Sequence, residues 1–96
     1  AVFVQLAPEA TATRYAAVLA ARGDTEAGRR EAGRAAQAQA VTNRMAQADF
    51  AARLQALDLG HAEIYRIHRA ANGLAIRVRP DQLSVLRSLP GVRSVE

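Results

Sequence analysis

The 96 residues include no cysteine, no tryptophan and no lysine. Without thiols, neither a disulfide framework nor a thiolate-held metal can form, and the redox compartment leaves no trace in the sequence. Aromatic residues make up 4% of the chain, and much of the nominal 50% hydrophobic content is alanine, which buries little area per residue. A single domain with one modest core, close to its folding threshold, is what such a composition can support. No apolar run approaches the ~20 residues that a membrane span needs. The basic balance, a net charge of +4, comes entirely from arginine, which suits either a solvated surface or a patch for an acidic partner.

The clearest signals lie in the last quarter of the chain. Asn72-Gly73 is a turn signal, after which Leu74, Ile76 and Val78 alternate with Ala75, Arg77 and Arg79, predicting a strand with one buried and one solvated face. Pro80 stops that strand. Leu83, Leu86 and, on the flank, Val85 and Leu89 then follow at helical spacing, until Pro90-Gly91 releases a short strand over Val92 to Val95.

At the other end, Val2, Val4 and Leu6 share one side of a strand over Ala1 to Leu6, with Phe3 and Gln5 on the other, and Pro8 ends it. Glu9 to Gly23 carries Tyr15, Val18 and Leu19 at helical spacing, but Thr11, Thr13 and Gly23 weaken it, so it reads as a loop holding one or two turns. From Asp24, read as the N-cap, to Leu57 the Ala-, Gln- and Arg-rich sequence is helical, and on the order of 50 Å long if continuous. Gly28 and Gly33 weaken its first turns. Its apolar positions fall on two sides, Ala46, Phe50, Leu54 and Leu57 against Val41, Met45, Ala48 and Ala52. One side meets the sheet; the other either meets the preceding segment through Tyr15, Val18 and Leu19 or stays open for a neighbour. Gly60 closes the helix and a strand runs from Ala62 to Arg69, in which Ile64 and Ile67 have opposite parity, a pattern that a bulge or an edge position explains.

The element order is therefore strand, long helix, two-stranded hairpin, short helix, strand. This βαββαβ order predicts an α+β, ferredoxin-like single domain over residues 1–96, with a four-stranded antiparallel sheet, two helices on one face and the first helix long. The uncovered face would present Phe3, Gln5, Ala75, Arg77 and Arg79, a mixed surface suited to docking.

No catalytic constellation is visible. His61 and His68 stand seven apart with no second pair of ligands beside them, no serine or threonine sits in a nucleophile elbow, and no Gly-rich loop follows the first strand. The carboxylates are scattered, and Asp24 and Asp81 sit where helices begin, as capping requires. The expectation is a non-enzymatic chain needing no cofactor and no metal. RNA recognition on this fold needs stacking rings on the central strands, where Phe3 is the one ring available, so no nucleic-acid partner is expected.

Phe3-Val4-Gln5-Leu6, then Asn72 to Val78, Asp81-Gln82-Leu83, Leu86, and finally Leu89-Pro90-Gly91-Val92-Arg93-Ser94-Val95-Glu96 carry a resemblance. Together they resemble the propeptide, or peptidase-inhibitor domain, of subtilisin-like serine proteases, across the chain and most specifically in its last third. Leu74 stands where that family usually has an aromatic residue, and Pro80 where it has a Ser or Thr cap. The resemblance implies an intramolecular chaperone and inhibitor that docks its open sheet face on the protease of its own secreted or cell-surface bacterial precursor. A signal peptide would then lie upstream of residue 1 and the processing site beyond residue 96. The implied contact residues are Phe3, Gln5, Ala75, Arg77, Arg79, Val95 and Glu96, the last capping protease helices at their N-termini, where a carboxylate meets unpaired N–H groups. The alternative is a ferredoxin-like binding or regulatory module without a protease, nucleic acid among its conceivable partners.

Overall fold

A computed structural model describes all 96 residues. Four strands, β1 (Val2–Leu6), β2 (Ala62–Ile67), β3 (Gly73–Arg77) and β4 (Val92–Val95), form one sheet in the order β2-β3-β1-β4, antiparallel at every pairing. The fold is α+β and βαββαβ-like, as the period-2 runs and turn signals predict. The central strands β1 and β3 place Val4 opposite Leu74 and Val2 opposite Ile76. Those side chains project to one side, where Phe50 and Leu54 of the long helix and Leu86 of the short one complete a seven-residue core with Val4, Leu6, Leu74 and Ile76. Val2, Ala46, Leu59, Val78, Leu83, Leu89, Val92 and Val95 pack around it. With 16 of 96 residues buried, the loss of any one core side chain removes a sizeable share of what holds the fold.

There are three α-helices: α1 (Thr11–Arg22), α2 (Glu26–Leu57) and α3 (Leu83–Ser88), the last entered through a 3-10 turn at Pro80–Gln82. At 1.5 Å per residue the 32 residues of α2 account for the 49 Å long axis of the molecule, so its N-terminal half overhangs the sheet. The overhang is where the structure departs from the sequence expectation: the segment read as a loop before the long helix is the 12-residue α1, folded back on α2 as a helical hairpin. Its first N–H groups find distant partners. Thr11 and Ala12 donate to the backbone carbonyls of His68 and Arg69 at 2.9 and 3.0 Å, replacing the side-chain cap that its N-terminus lacks. Gly23, at φ 94°, ends α1. Thr25, not Asp24, caps α2, its hydroxyl accepting from the Gly28 N–H at 3.0 Å, while Asp24 pairs with Arg29 at 2.6 Å. Gly28 itself is required, because a Cβ there would run into the Gly23 carbonyl at the crossing of the hairpin.

A buried polar network fixes α2 to both loops beneath it. Gln47 donates through Nε2 to the Ile67 carbonyl at 2.7 Å and to Asn72 Oδ1 at 3.0 Å, and Asn72 Nδ2 donates to the Pro8 carbonyl at 3.0 Å. One turn earlier on the helix, Asn43 donates to the Glu9 carbonyl at 2.9 Å and accepts from Gln39 at 3.0 Å. Asn72 is therefore more than a turn residue. It ties β1, α2 and the β2–β3 connection together, with its own carbonyl accepting from Leu6 at 2.8 Å.

Candidate functional site: the open face of the sheet

All three helices leave the far side of the sheet bare, and that side is built by the residues that alternate with the core. From β1 come Phe3 and Gln5, from β3 Gly73, Ala75 and Arg77, and from β4 Ser94. Glu96 joins them because its backbone and that of Phe3 exchange both hydrogen bonds, at 2.7 and 2.9 Å, which sets the two side chains on the same side. Ser94 Oγ donates to Gln5 Oε1 at 3.3 Å, stiffening the β1–β4 side of the platform.

The edge strand β2 supplies what its sequence leaves ambiguous. A register shift between Glu63 and Tyr65 puts Ile64 in a bulge, after which Tyr65 lies opposite Ala75 and Ile67 opposite Gly73. The open face therefore carries a row Tyr65, Ala75, Phe3 across β2, β3 and β1. Ala75, between these two ring-bearing positions, is only 8% exposed although no helix covers it. The Phe3 ring lies over Gly73: a Cβ at that glycine would come within 2.7 Å of the ring tip and collide with the Val4 carbonyl. Tyr65 is half exposed and Ile67 38% exposed, giving the platform an apolar centre that water still reaches.

Of the seven expected contact residues, Phe3, Gln5, Ala75, Arg77 and Glu96 share this face. Arg77 is exposed with no ion pair, so its charge is free for a partner. Arg79 lies past the end of β3, where its carbonyl accepts from Gln82 and its guanidinium sits 3.5 Å from Asp81. Val95 lies apart from these: it opposes Val4, so its half-buried side chain packs against the core on the helix side. Tyr65 and Ile67 were missed, and the signal that could have found them is their shared parity with Ala75 and Gly73 once Ile64 is taken out of the count.

On the other side of β2, Glu63 and Arg66 form a two-point ion pair at 2.7 and 2.8 Å. The Arg66 hydrogen bond holds the Glu63 carboxyl below its ordinary value and raises the guanidinium in return. His61 and His68 bracket the two ends of β2, and His68 Nδ1 is buried without a hydrogen-bond partner. No family model matches the chain, and no curated protein or solved structure matches it either.

Proposed function

We propose that the chain is a propeptide-type module that docks its open sheet face on a subtilisin-like serine protease, guiding the folding of that enzyme and holding it inactive. The observation that carries the reading is the uncovered platform itself. Tyr65 and Ile67 are left in water, with the half-buried Phe3 ring across Ala75 from Tyr65, by a chain that can spare little apolar area for anything but its core. Around that centre stand one unpaired cation, Arg77, and one unpaired anion, Glu96. A carboxylate at the rim of a flat face suits the N-terminus of a partner helix, whose first N–H groups lack acceptors.

The small core supports the same reading from the energetic side. A partner that binds only the folded form adds RT ln(1 + [L]/Kd), about 4 kcal/mol at a thousandfold excess over Kd, which is comparable with the whole stability of a small domain. Docking and folding are then coupled in both directions, as a folding template requires. The test is refolding of a denatured bacterial subtilisin with and without the chain. Recovered protease activity should rise with added chain, and recovery identical to that in its absence would sink the proposal.

One observation favours a second reading. Tyr65 gives the open face a second ring beside Phe3, with Arg77 next to it, which is the elementary equipment for stacking single-stranded bases. Tyr65 lies on an edge strand, so the platform is narrower than one built on two central strands. Oligonucleotide binding that weakens steeply with salt and disappears in Tyr65→Ala would move the assignment to this reading.

A further inference from the structure

The face of α2 turned away from the rest of the molecule carries two of the exposed large apolar side chains, Val41 and Met45, apart from the open sheet. Everything packed on α2 contacts its other side, where Ala32, Asn43, Gln47, Phe50 and Leu54 are buried. At 100° per residue, Ala38, Val41, Met45, Ala48 and Ala52 cluster on the opposite side at spacings of three and four. All five are exposed, Val41 by 50% and Met45 by 64%. That spacing is the a/d seam of a two-helix coiled coil.

The charges beside the seam say what fits it. Arg44 flanks one side and Asp49 the other, five residues apart, and neither makes an ion pair within the chain, whereas Glu26 and Glu31 of the same helix are both paired. In a parallel pair of helices, a residue just before an a position faces the residue five further along on its neighbour, so each Arg44 would meet the Asp49 of a second copy, twice over by symmetry. An antiparallel arrangement sets each flank against its own kind, Arg44 toward Arg44. Because the sheet, α1 and α3 lie behind the helix, two copies can approach without collision, and both open sheet faces remain outermost.

We infer that a second copy of this chain docks on α2 through the seam from Ala38 to Ala52, in parallel, with reciprocal Arg44–Asp49 pairs. Only one valine and one methionine anchor each side, and the rest is alanine, so the contact falls at the small, transient end of protein interfaces. The dimer is therefore looked for at high chain concentration, about 1 mM. The inference stands apart from the protease-docking reading, since neither surface shares a residue with the other.

The absence of cysteine makes the orientation readable. Ala38→Cys and Ala52→Cys lie about 21 Å apart along the helix. In the parallel seam each faces its own counterpart, so each variant alone should oxidise to a disulfide-linked dimer, while Ala16→Cys on the exposed side of α1 should not. A folded, self-associating chain in which neither seam variant cross-links with its own counterpart would rule out the parallel pair and overturn the inference. Sedimentation of the cysteine-free chain gives the second readout. Met45→Glu and Asp49→Arg should each weaken self-association at least tenfold, and the exchange Arg44→Asp with Asp49→Arg should bring it back to within about threefold of the parent, a pairwise rescue that loss of fold could not produce. A chain that stays monomeric at 1 mM, or a dimer indifferent to Met45→Glu and to the charge exchange, would overturn it. So would a seam occupied only by added helical peptides of other sequence.

Discussion

Deleting the Asn72 side chain should destabilise this protein about as much as truncating a leucine of its apolar core. The residue is 1% exposed; its amide nitrogen donates to the Pro8 carbonyl at 3.0 Å and its oxygen accepts from Gln47 at 3.0 Å. Asn72→Ala removes both bonds, each worth about 1 kcal/mol net, and leaves the Pro8 carbonyl facing a hole, a further ~1 to 3 kcal/mol. Gln47 keeps its 2.7 Å bond to Ile67 and so limits the damage on that side. The expected loss is therefore about 3 kcal/mol, against ~0.5 kcal/mol or less for a control such as Gln37→Ala on the exposed side of α2.

Asn72→Asp adds a signature that simple loss of packing would not show. The aspartate keeps the shape but points an acceptor at the Pro8 carbonyl from a site that disfavours charge, so its carboxyl would titrate above the ordinary aspartate range. Below the unfolded-state value the group is neutral in both states and the penalty is least; as the pH rises toward the folded-state value, stability relative to the parent falls. Urea unfolding followed by far-UV circular dichroism at pH 4 and pH 7 measures both effects. An Asn72→Ala cost indistinguishable from that of Gln37→Ala, or an Asn72→Asp penalty that does not grow between the two pH values, would refute the role given to this network.

Two glycines of α2 should respond in opposite directions to the same change. Gly33→Ala meets nothing within 4 Å and should stabilise by about 1 kcal/mol through helix propensity, whereas Gly28→Ala drives a Cβ into the Gly23 carbonyl and should lower the melting temperature despite the same propensity gain. Leu74→Ala, Ile76→Ala and Leu86→Ala, all 0% exposed, should each lose ~2 to 5 kcal/mol, enough to unfold the isolated chain; sharp transitions at unchanged temperature would contradict the small-core reasoning. The Arg66 hydrogen bond depresses the folded-state pKa of Glu63, so its contribution is present above the unfolded value of about 4.5 and is lost as pH falls through the folded value. In Arg66→Gln, an NMR titration should find the Glu63 midpoint moved upward, and an unmoved midpoint would remove that pair from any explanation of acid stability.

What was legible in the sequence was whatever is decided locally. Val2, Val4 and Leu6, and again Leu74 and Ile76, declare their strands by alternation, and Pro90-Gly91 declares the turn in which Gly91 takes φ 85°. The hidden parts depend on partners far along the chain. The α1 helix was illegible because its N-terminus is satisfied by the carbonyls of His68 and Arg69, which no capping pattern around Ala10 can reveal. Asn72 looked like half of a turn dipeptide, and Asn43 and Gln47 like members of a polar helix, because the bonds that bury them cross between segments. At the candidate site, alternation alone placed Phe3, Gln5, Ala75 and Arg77 on one face. One extra residue at Ile64 was enough to hide Tyr65 and Ile67, and Val95 was assigned by resemblance to a contact role while its register turns it toward the core.

The protease-docking proposal is tested most directly by following peptide hydrolysis by a purified bacterial subtilisin while the folded chain, Phe3→Glu or Tyr65→Glu is titrated in. The parent should slow hydrolysis in a dose-dependent way and the two open-face variants, still folded by circular dichroism, should do so at least tenfold less effectively. Hydrolysis unaffected by the parent at high micromolar concentration, or slowed equally by all three proteins, would contradict it.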